Sequence, residues 1–311
     1  MYHEIQIKNG EKYHYLTENF RINDKWKKIR IYLGKGNIKR KKFEKLISEK
    51  KVELELKLDK EKKLNDPLLS FLTEQEIKKI EKMKKHYQKS MKNIDKQLWK
   101  NYYESFITEF TYDTNAIEGS SVTLQETGLI LFDRVVPEGK TIKEIKEVEN
   151  HKEAFDFMIK HEEGITKRFV LQIHKKLMHN ILWDYAGKFR DVQVIIRGSD
   201  FLPPPPAKVE SDFKTLMRWY GSNKKKYHPV IIAAYFHSAF ESVHPFRDGN
   251  GRTGRLLLNF ILKKNGYPMI DIKNKDRMKY YNSLKSAEKN GDLRPLVNLI
   301  VNYLLESKIW I

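Results

Sequence analysis

The chain contains no cysteine, which removes disulfides, thiolate zinc sites, iron–sulfur clusters and cysteine nucleophiles from consideration at once. Long apolar runs are missing too. Stretches such as residues 230–236 and 256–262 fall far short of the roughly 20 residues a bilayer-spanning helix needs. The opening MYHEIQIKNGEKYHY holds no apolar segment of the kind a secretory signal uses. The expectation is a soluble, cytoplasmic protein with no membrane partner. There is no internal repeat, and no low-complexity tract beyond an enrichment in lysine. What the 311 residues do have is 40% apolar and 12% aromatic content, enough for one sizeable core and a smaller satellite domain and too much for a disordered chain.

The formal charge is +19, from 60 Lys/Arg against 41 Asp/Glu. It is unevenly placed: residues 1–100 carry 28 basic against 15 acidic side chains. Such a field favours polyanions, and Tyr13, Tyr15, Trp26 and Tyr32 are interleaved with those basic residues, a pattern that fits nucleic acid. A solvated lysine-rich surface is the competing reading.

Short apolar bursts at residues 5–7 and 29–33, broken by Asn9-Gly10 and by Gly34-Lys35-Gly36, predict two or three strands of a small β-meander. Residues 43–57 fit either helix or strand. Thr73 with Glu76 three positions on makes a capping box, and apolar residues at Ile77, Ile80, Met83, Tyr87, Met91, Ile94, Leu98 and Tyr102 predict one long amphipathic helix. The expected domains are a basic β-containing region 1–72, a connecting helical region 73–113 and a helical domain 114–311. Nearly every later segment has helical period. The exception is residues 187–196, rich in β-branched side chains and closed by Leu202-Pro203-Pro204-Pro205-Pro206, which predicts a hairpin ending in a stiff strap. The fold class is therefore mainly α, preceded by a small β-containing domain.

The informative string is His244-Pro245-Phe246-Arg247-Asp248-Gly249-Asn250-Gly251-Arg252-Thr253-Gly254-Arg255, a loop between two apolar helical segments. Backbone N–H groups of a Gly-Asn-Gly turn converge on an anion, and the following helix dipole adds to the attraction. Arg252 and Arg255, three apart, reach one ligand from the first helical turn. Asp248 is a natural Mg²⁺ ligand, because that ion takes one or two carboxylates with phosphate oxygens. His244, four residues before it, is placed as a general base. The other histidines, such as His174 and His179, lack zinc-type spacing.

This string resembles the Fic (Fido) signature HPFx[DE]GNGRxxR at every fixed position, and the resemblance extends over most of residues 100–305, including Ala186-Gly187-Lys188-Phe189-Arg190 and Tyr280-Tyr281. It implies a helical enzyme that transfers AMP from ATP to a Ser, Thr or Tyr hydroxyl of a protein, itself included, and releases pyrophosphate. His244 would deprotonate that hydroxyl. Asp248 would hold Mg²⁺, with Mn²⁺ as an alternative. Gly249, Asn250 and Gly251 would cradle the α- and β-phosphates, with Thr253 and Gly254 completing the ATP site, and Arg252 and Arg255 would hold the β- and γ-phosphates. Residues 192–198 resemble the family's target-aligning flap, with Val194, Ile195, Ile196 and Arg197 over the nucleotide, and Tyr280 resembles the aromatic near the adenine. Thr114-Asn115-Ala116-Ile117-Glu118-Gly119 matches the inhibitory pattern [ST]xxxE[GN], in which Glu118 would occupy Arg255 and brake transfer. Two alternatives stay open: Glu118 could serve removal of AMP, or the Fic core could sense nucleotide for a regulator that binds nucleic acid through residues 1–100.

Overall fold

The protein was analysed as a computed structural model that describes residues 1–22, 25–196 and 201–307. It comprises two compact units, Met1–Phe71 and Leu72–Ile311.

In the first unit β1 (Tyr2–Lys8), β2 (Glu11–Ile22) and β3 (Lys25–Lys35) form an antiparallel sheet of order β1-β2-β3. Asn9 and Gly10, both at positive φ, turn the first hairpin; a two-residue loop with that geometry matches the right-handed twist of its strands. Residues 43–57 prove helical, inside α1 (Arg40–Asn65). The helix covers one face of the sheet, where Leu16, Ile31, Leu33 and Leu54 make a small core edged by Phe43, Leu46 and Ile47.

The second unit is helical: α2 (Glu74–Lys92), α3 (Lys96–Glu118), α4 (Leu124–Gly128), α5 (Ile142–Lys160), α6 (Lys167–Leu177), α7 (Pro206–Asn223), α8 (Pro229–Val243), α9 (Asn250–Lys264), α10 (Arg277–Asn290) and α11 (Arg294–Glu306). Buried residues run nearly the whole length of α8 and α9, so the loop between them is anchored at both ends in the core. None of the described helices is long and apolar enough to cross a membrane.

Two expectations change. The single helix drawn from Ile77 to Tyr102 is two helices, because the Asp95 carboxylate accepts from Gln97 N and Leu98 N and starts α3 afresh; a short acidic side chain competes with helix continuation in this way. The segment 187–196 contains no strand among the described residues. Its return arm is built on Pro203, Pro204 and Pro205, which have no N–H to donate to a ladder, before Pro206 opens α7. Side chains join the arms instead: Arg190 donates to Val192 O and Pro204 O, and Gln193 donates to Pro203 O.

The break between α2 and α3 has a measurable consequence. Asp95→Ala removes the α3 cap and should cost about 1 kcal/mol, a fall in Tm of roughly 2–4 °C for a unit of this size, read by differential scanning calorimetry.

Candidate functional site

The site is built on the loop of residues 244–249 and the first turn of α9. His244 closes α8 in the left-handed region, φ 45°, a conformation a side-chain-bearing residue keeps only when its surroundings enforce it. Here Arg190 enforces it. Its guanidinium is buried, donates Nε to His244 O at 2.8 Å, and spends its other nitrogens on the two arms of the segment 192–204; its backbone N–H takes Pro245 O at 2.9 Å. The imidazole Nδ1 of His244 lies 3.3 Å from Glu241 O, which sets Nδ1 as the protonated nitrogen and leaves Nε2 with its lone pair. Burial lowers the pKa of His244 to about 4, so the ring is neutral at physiological pH.

Asn250 staples the loop shut: its Oδ1 accepts from Phe246 N and its Nδ2 donates to Phe246 O, both at 2.9 Å. Phe246 in turn stacks on His174, ring centroids 3.6 Å apart and nearly parallel. His174 accepts from Gly187 N at Nδ1, so its Nε2 carries the proton that goes to Asp248 O at 3.0 Å. The Asp248 carboxylate uses Oδ1 to receive Gly249 N at 2.5 Å and Arg252 Nη2 at 3.4 Å, which leaves Oδ2 toward solvent. Among the described residues no group of three His, Asp or Glu side chains gathers as a metal cage. A lone half-exposed carboxylate beside an anion site is nonetheless the donor set that Mg²⁺ uses when phosphates supply its other ligands.

No side chain caps the first turn of α9. The N–H groups of Asn250, Gly251 and Arg252 occupy the positions that lack intrahelical acceptors, at the positive end of the helix dipole. Gly249 must be glycine, since φ is 76° and a Cβ would sit 2.8 Å from Met178 Sδ. At Gly251 a Cβ would run into the Glu118 carboxylate and come within 2.9 Å of Arg255 Nη1. The Glu118 carboxylate therefore stands over the helix N-terminus, where an anionic ligand would bind.

Arg255 is 2% exposed. Its Nε donates to Thr114 Oγ1 at 2.6 Å, and its Nη2 donates to Thr114 O at 3.0 Å and to Glu118 Oε1 at 2.6 Å. Burial disfavours its charge, and the Glu118 carboxylate more than restores it. Thr114 and Glu118 lie one turn apart near the C-terminus of α3, which Gly119 ends at φ 100°. Arg252, also buried, pairs with Glu147 of α5 at 3.1 Å and with Asp248. Beneath Arg255 lie Tyr280, whose hydroxyl is 2.8 Å from His237 Nε2, and the buried Glu241, raised by burial to about 8.

The structure thus brings together His244, Asp248, Gly249, Gly251, Arg252, Arg255, Thr114 and Glu118. Other expected site residues face elsewhere. Tyr280 is 1% exposed and supports Arg255 from below, with no open face for an adenine. Thr253 is buried and donates its hydroxyl to Gly249 O. Gly254 packs on His237 and Glu241. Asn250 gives its side chain to the loop and has only its N–H for a ligand. Val194 and Ile196 are partly exposed and Ile195 is 81% exposed; Arg197 lies outside the described residues. Sequence reasoning missed Arg190, His174 and Glu147 as supports. Arg190 and His174 stood in segments that drew notice, but nothing in a sequence tells which carbonyl a side chain will reach.

This burial pattern fixes an acid response. His151, His174, His237 and His244 are held at about 3, 4, 3 and 4 by burial, below the 6.5 of the unfolded chain. Unfolding therefore takes up protons as pH falls from 6.5, and stability present above that value is lost. Glu241 and Asp271, both raised by burial, act in the opposite sense. His3 and His228 are also lowered and Glu288 is also raised, so the histidines outnumber the acids and stability should fall by roughly 2–4 kcal/mol per pH unit between pH 6 and 5, measured by urea unfolding; a flat profile would contradict neutral buried histidines.

The Fic/DOC family profile matches residues 164–262. Protein adenylyltransferase Fic of Nematostella vectensis is 36% identical over 194 residues, 61% of this chain and 45% of its own length. The protein of that name from Drosophila persimilis is 36% identical over 195 residues, 61% of this chain and 38% of its own. The chain thus spans less than half the length of these curated relatives. Among solved structures, Fic-1 from C. elegans is 30% identical with a TM-score of 0.66, covering 78% of this chain and 72% of that one. A Fic domain containing signaling protein from Bacteroides thetaiotaomicron VPI-5482 is 26% identical with a TM-score of 0.67, covering 73% of this chain and 94% of that one. Loop, fold and sequence agree: the chain belongs to the Fic/DOC family.

Proposed function

We propose that the chain is a protein adenylyltransferase, moving AMP from ATP to a Ser, Thr or Tyr hydroxyl of a protein, with this chain among its targets, and that Glu118 restrains it. The observation that carries this reading is the convergence of a neutral histidine, a free carboxylate oxygen, an uncapped helix N-terminus and a buried guanidinium on one loop. The name its relatives carry, protein adenylyltransferase Fic, supports the same chemistry.

In this reading the N–H groups of Asn250 to Arg252 hold the α- and β-phosphates, and Arg255 takes the γ-phosphate once Glu118 has withdrawn. Arg252 keeps its ion pairs to Glu147 and Asp248 and lends its charge to the middle of the triphosphate. Asp248 Oδ2 would hold Mg²⁺, or Mn²⁺, which neutralises phosphate charge and steadies the leaving group. The target hydroxyl gives its proton to His244 Nε2 as its oxygen bonds to the α-phosphorus. The bond from that phosphorus to the bridging oxygen breaks, and pyrophosphate leaves with the bonding pair. Concentrated positive charge and fixed in-line geometry supply most of the rate in such transfers. Arg190 serves here as a positioning residue, since it sets the carbonyl of His244 against both arms of the segment that would align the target.

Incubation with α-³²P-labelled ATP and Mg²⁺ tests the reading. Glu118→Gly should raise protein labelling at least tenfold while changing ATP affinity little. Arg255→Ala and the double variant should both stay low, because Arg255 is at once the partner of Glu118 and the anchor of the γ-phosphate. His244→Ala added to Glu118→Gly should abolish labelling. Equal labelling with and without His244 would overturn the assignment.

A further inference from the structure

The aromatic residues interleaved with basic ones near the N-terminus have no part in the transfer site, and the sheet gathers them. Strand register places Tyr13 opposite Lys35, Tyr15 between Glu4 and Tyr32, and Thr17 between Tyr2 and Arg30, with Lys28 and Trp26 following on β3. Side chains alternate between faces with a period of two, so Tyr32, Arg30, Lys28 and Trp26 share one face. The ring contacts place Tyr13 and Tyr15 on that face too, at 6.3 and 5.7 Å from Tyr32. It is the face turned away from α1, whose core uses Leu16, Ile31 and Leu33 from the other side. Trp26 is 73% exposed, Tyr32 49% and Tyr2 41%, an unusual outlay of aromatic surface on one sheet face.

We propose that this open face binds single-stranded nucleic acid, with bases stacking on the tyrosine cluster and Trp26 and phosphates on Lys28, Arg30 and Lys35. Two features favour that occupant. Residues 1–71 carry 19 Lys/Arg against 11 Asp/Glu, so the charge complements a polyanion. Exposed planar rings answer to bases, whose faces a duplex hides within its stack, and sheet platforms that combine cations with aromatics suit unpaired strands. The cations are held ready. Glu4 draws Lys28 and Arg30 together at 3.3 and 2.9 Å, and Glu11 holds Lys35, whose ammonium lies 5.7 Å from the Tyr13 ring centre. The Lys28 and Arg30 side chains are about two-fifths exposed, and ion pairs whose cation reaches water are worth little, so a phosphate can take the place of the carboxylate. The inference does not depend on the catalytic reading.

The test uses the full chain and fluorescein-labelled 20-mers of dT and rU, read by anisotropy, against a duplex of equal length and polyglutamate of equal charge. Both single strands, or one of them, should bind at 50 mM salt, and a difference between the two tells DNA from RNA. Three phosphate contacts predict roughly a tenfold to twentyfold weakening at 200 mM. The Tyr15→Ala/Tyr32→Ala pair should weaken binding at least tenfold, while Tyr15→Phe/Tyr32→Phe, which keeps ring and fold, should bind as the native chain does. No binding at 50 mM would overturn the proposal. So would equal binding of the duplex, full competition by polyglutamate, or an alanine pair that stays folded by circular dichroism and binds normally.

Discussion

One buried charge, Arg255, organises the candidate site. Arg255 carries its guanidinium into the protein interior, and a cation there is tolerable only when paired and hydrogen-bonded. The carboxylate that neutralises it comes from Glu118, distant in sequence, and the hydroxyl and carbonyl that flank it come from Thr114, one turn earlier on α3. The end of α3 and the start of α9 are thereby locked together at the mouth of the site. The same demand explains the neutral acid beneath. Glu241 is buried close to Arg255, and burial raises its pKa, with the nearby Glu118 charge adding to the effect. One carboxylate suffices for one guanidinium, so the second keeps its proton.

That arrangement also defines what an incoming anion meets. The N–H groups at the start of α9 and the Arg255 guanidinium form a preorganised positive corner, and a carboxylate of the protein itself sits in it. Glu118 is more than a third exposed while Arg255 is almost fully covered, so the acid is the movable partner and the base the fixed one. A ligand with several negative charges competes with a single carboxylate held through one nitrogen, in place of a two-point fork that would be harder to open. In the proposed function a reversible restraint requires this kind of contact, one that takes the place of a terminal phosphate and yet can yield.

How much of this was legible follows from where the chemistry sits along the chain. The loop of residues 244–255 is readable because its N–H donors, carboxylate and imidazole are contiguous in the chain. Glu118 was readable only through its family pattern; nothing local announces that it meets Arg255. The supports were hidden for the same reason: Arg190 answers to carbonyls of His244, Val192 and Pro204 that only the fold assembles, and Glu147 is one acid among several on a charged helix. The burial of Tyr280 behind Arg255 is not legible, because an aromatic near a nucleotide site and an aromatic packed behind its arginine look alike in sequence. The run from Ile77 to Tyr102 kept its apolar period across the break at Asn93 to Asp95, so periodicity could not see a restart that one carboxylate decides.

The segment of residues 192–206 shows how an absence becomes useful. A hairpin with a complete ladder would satisfy its own backbone and offer a partner only its outer edge. Pro203, Pro204 and Pro205 on the return arm have no N–H to give to such a ladder, and Arg190 and Gln193 hold the arms together from their side chains. Backbone groups near Ile195 are left without strand pairing among the described residues, and Ile195 itself projects into water. An extended chain that docks there gains main-chain hydrogen bonds that the protein does not already make, the basis of strand addition with little regard to sequence. Arg190 ties the same arms to the carbonyl of His244, so in the proposed function a chain docked there would be placed by the residue that also holds the imidazole. Under the proposed transfer, selection of the target backbone and alignment of its hydroxyl would both rest on one buried side chain.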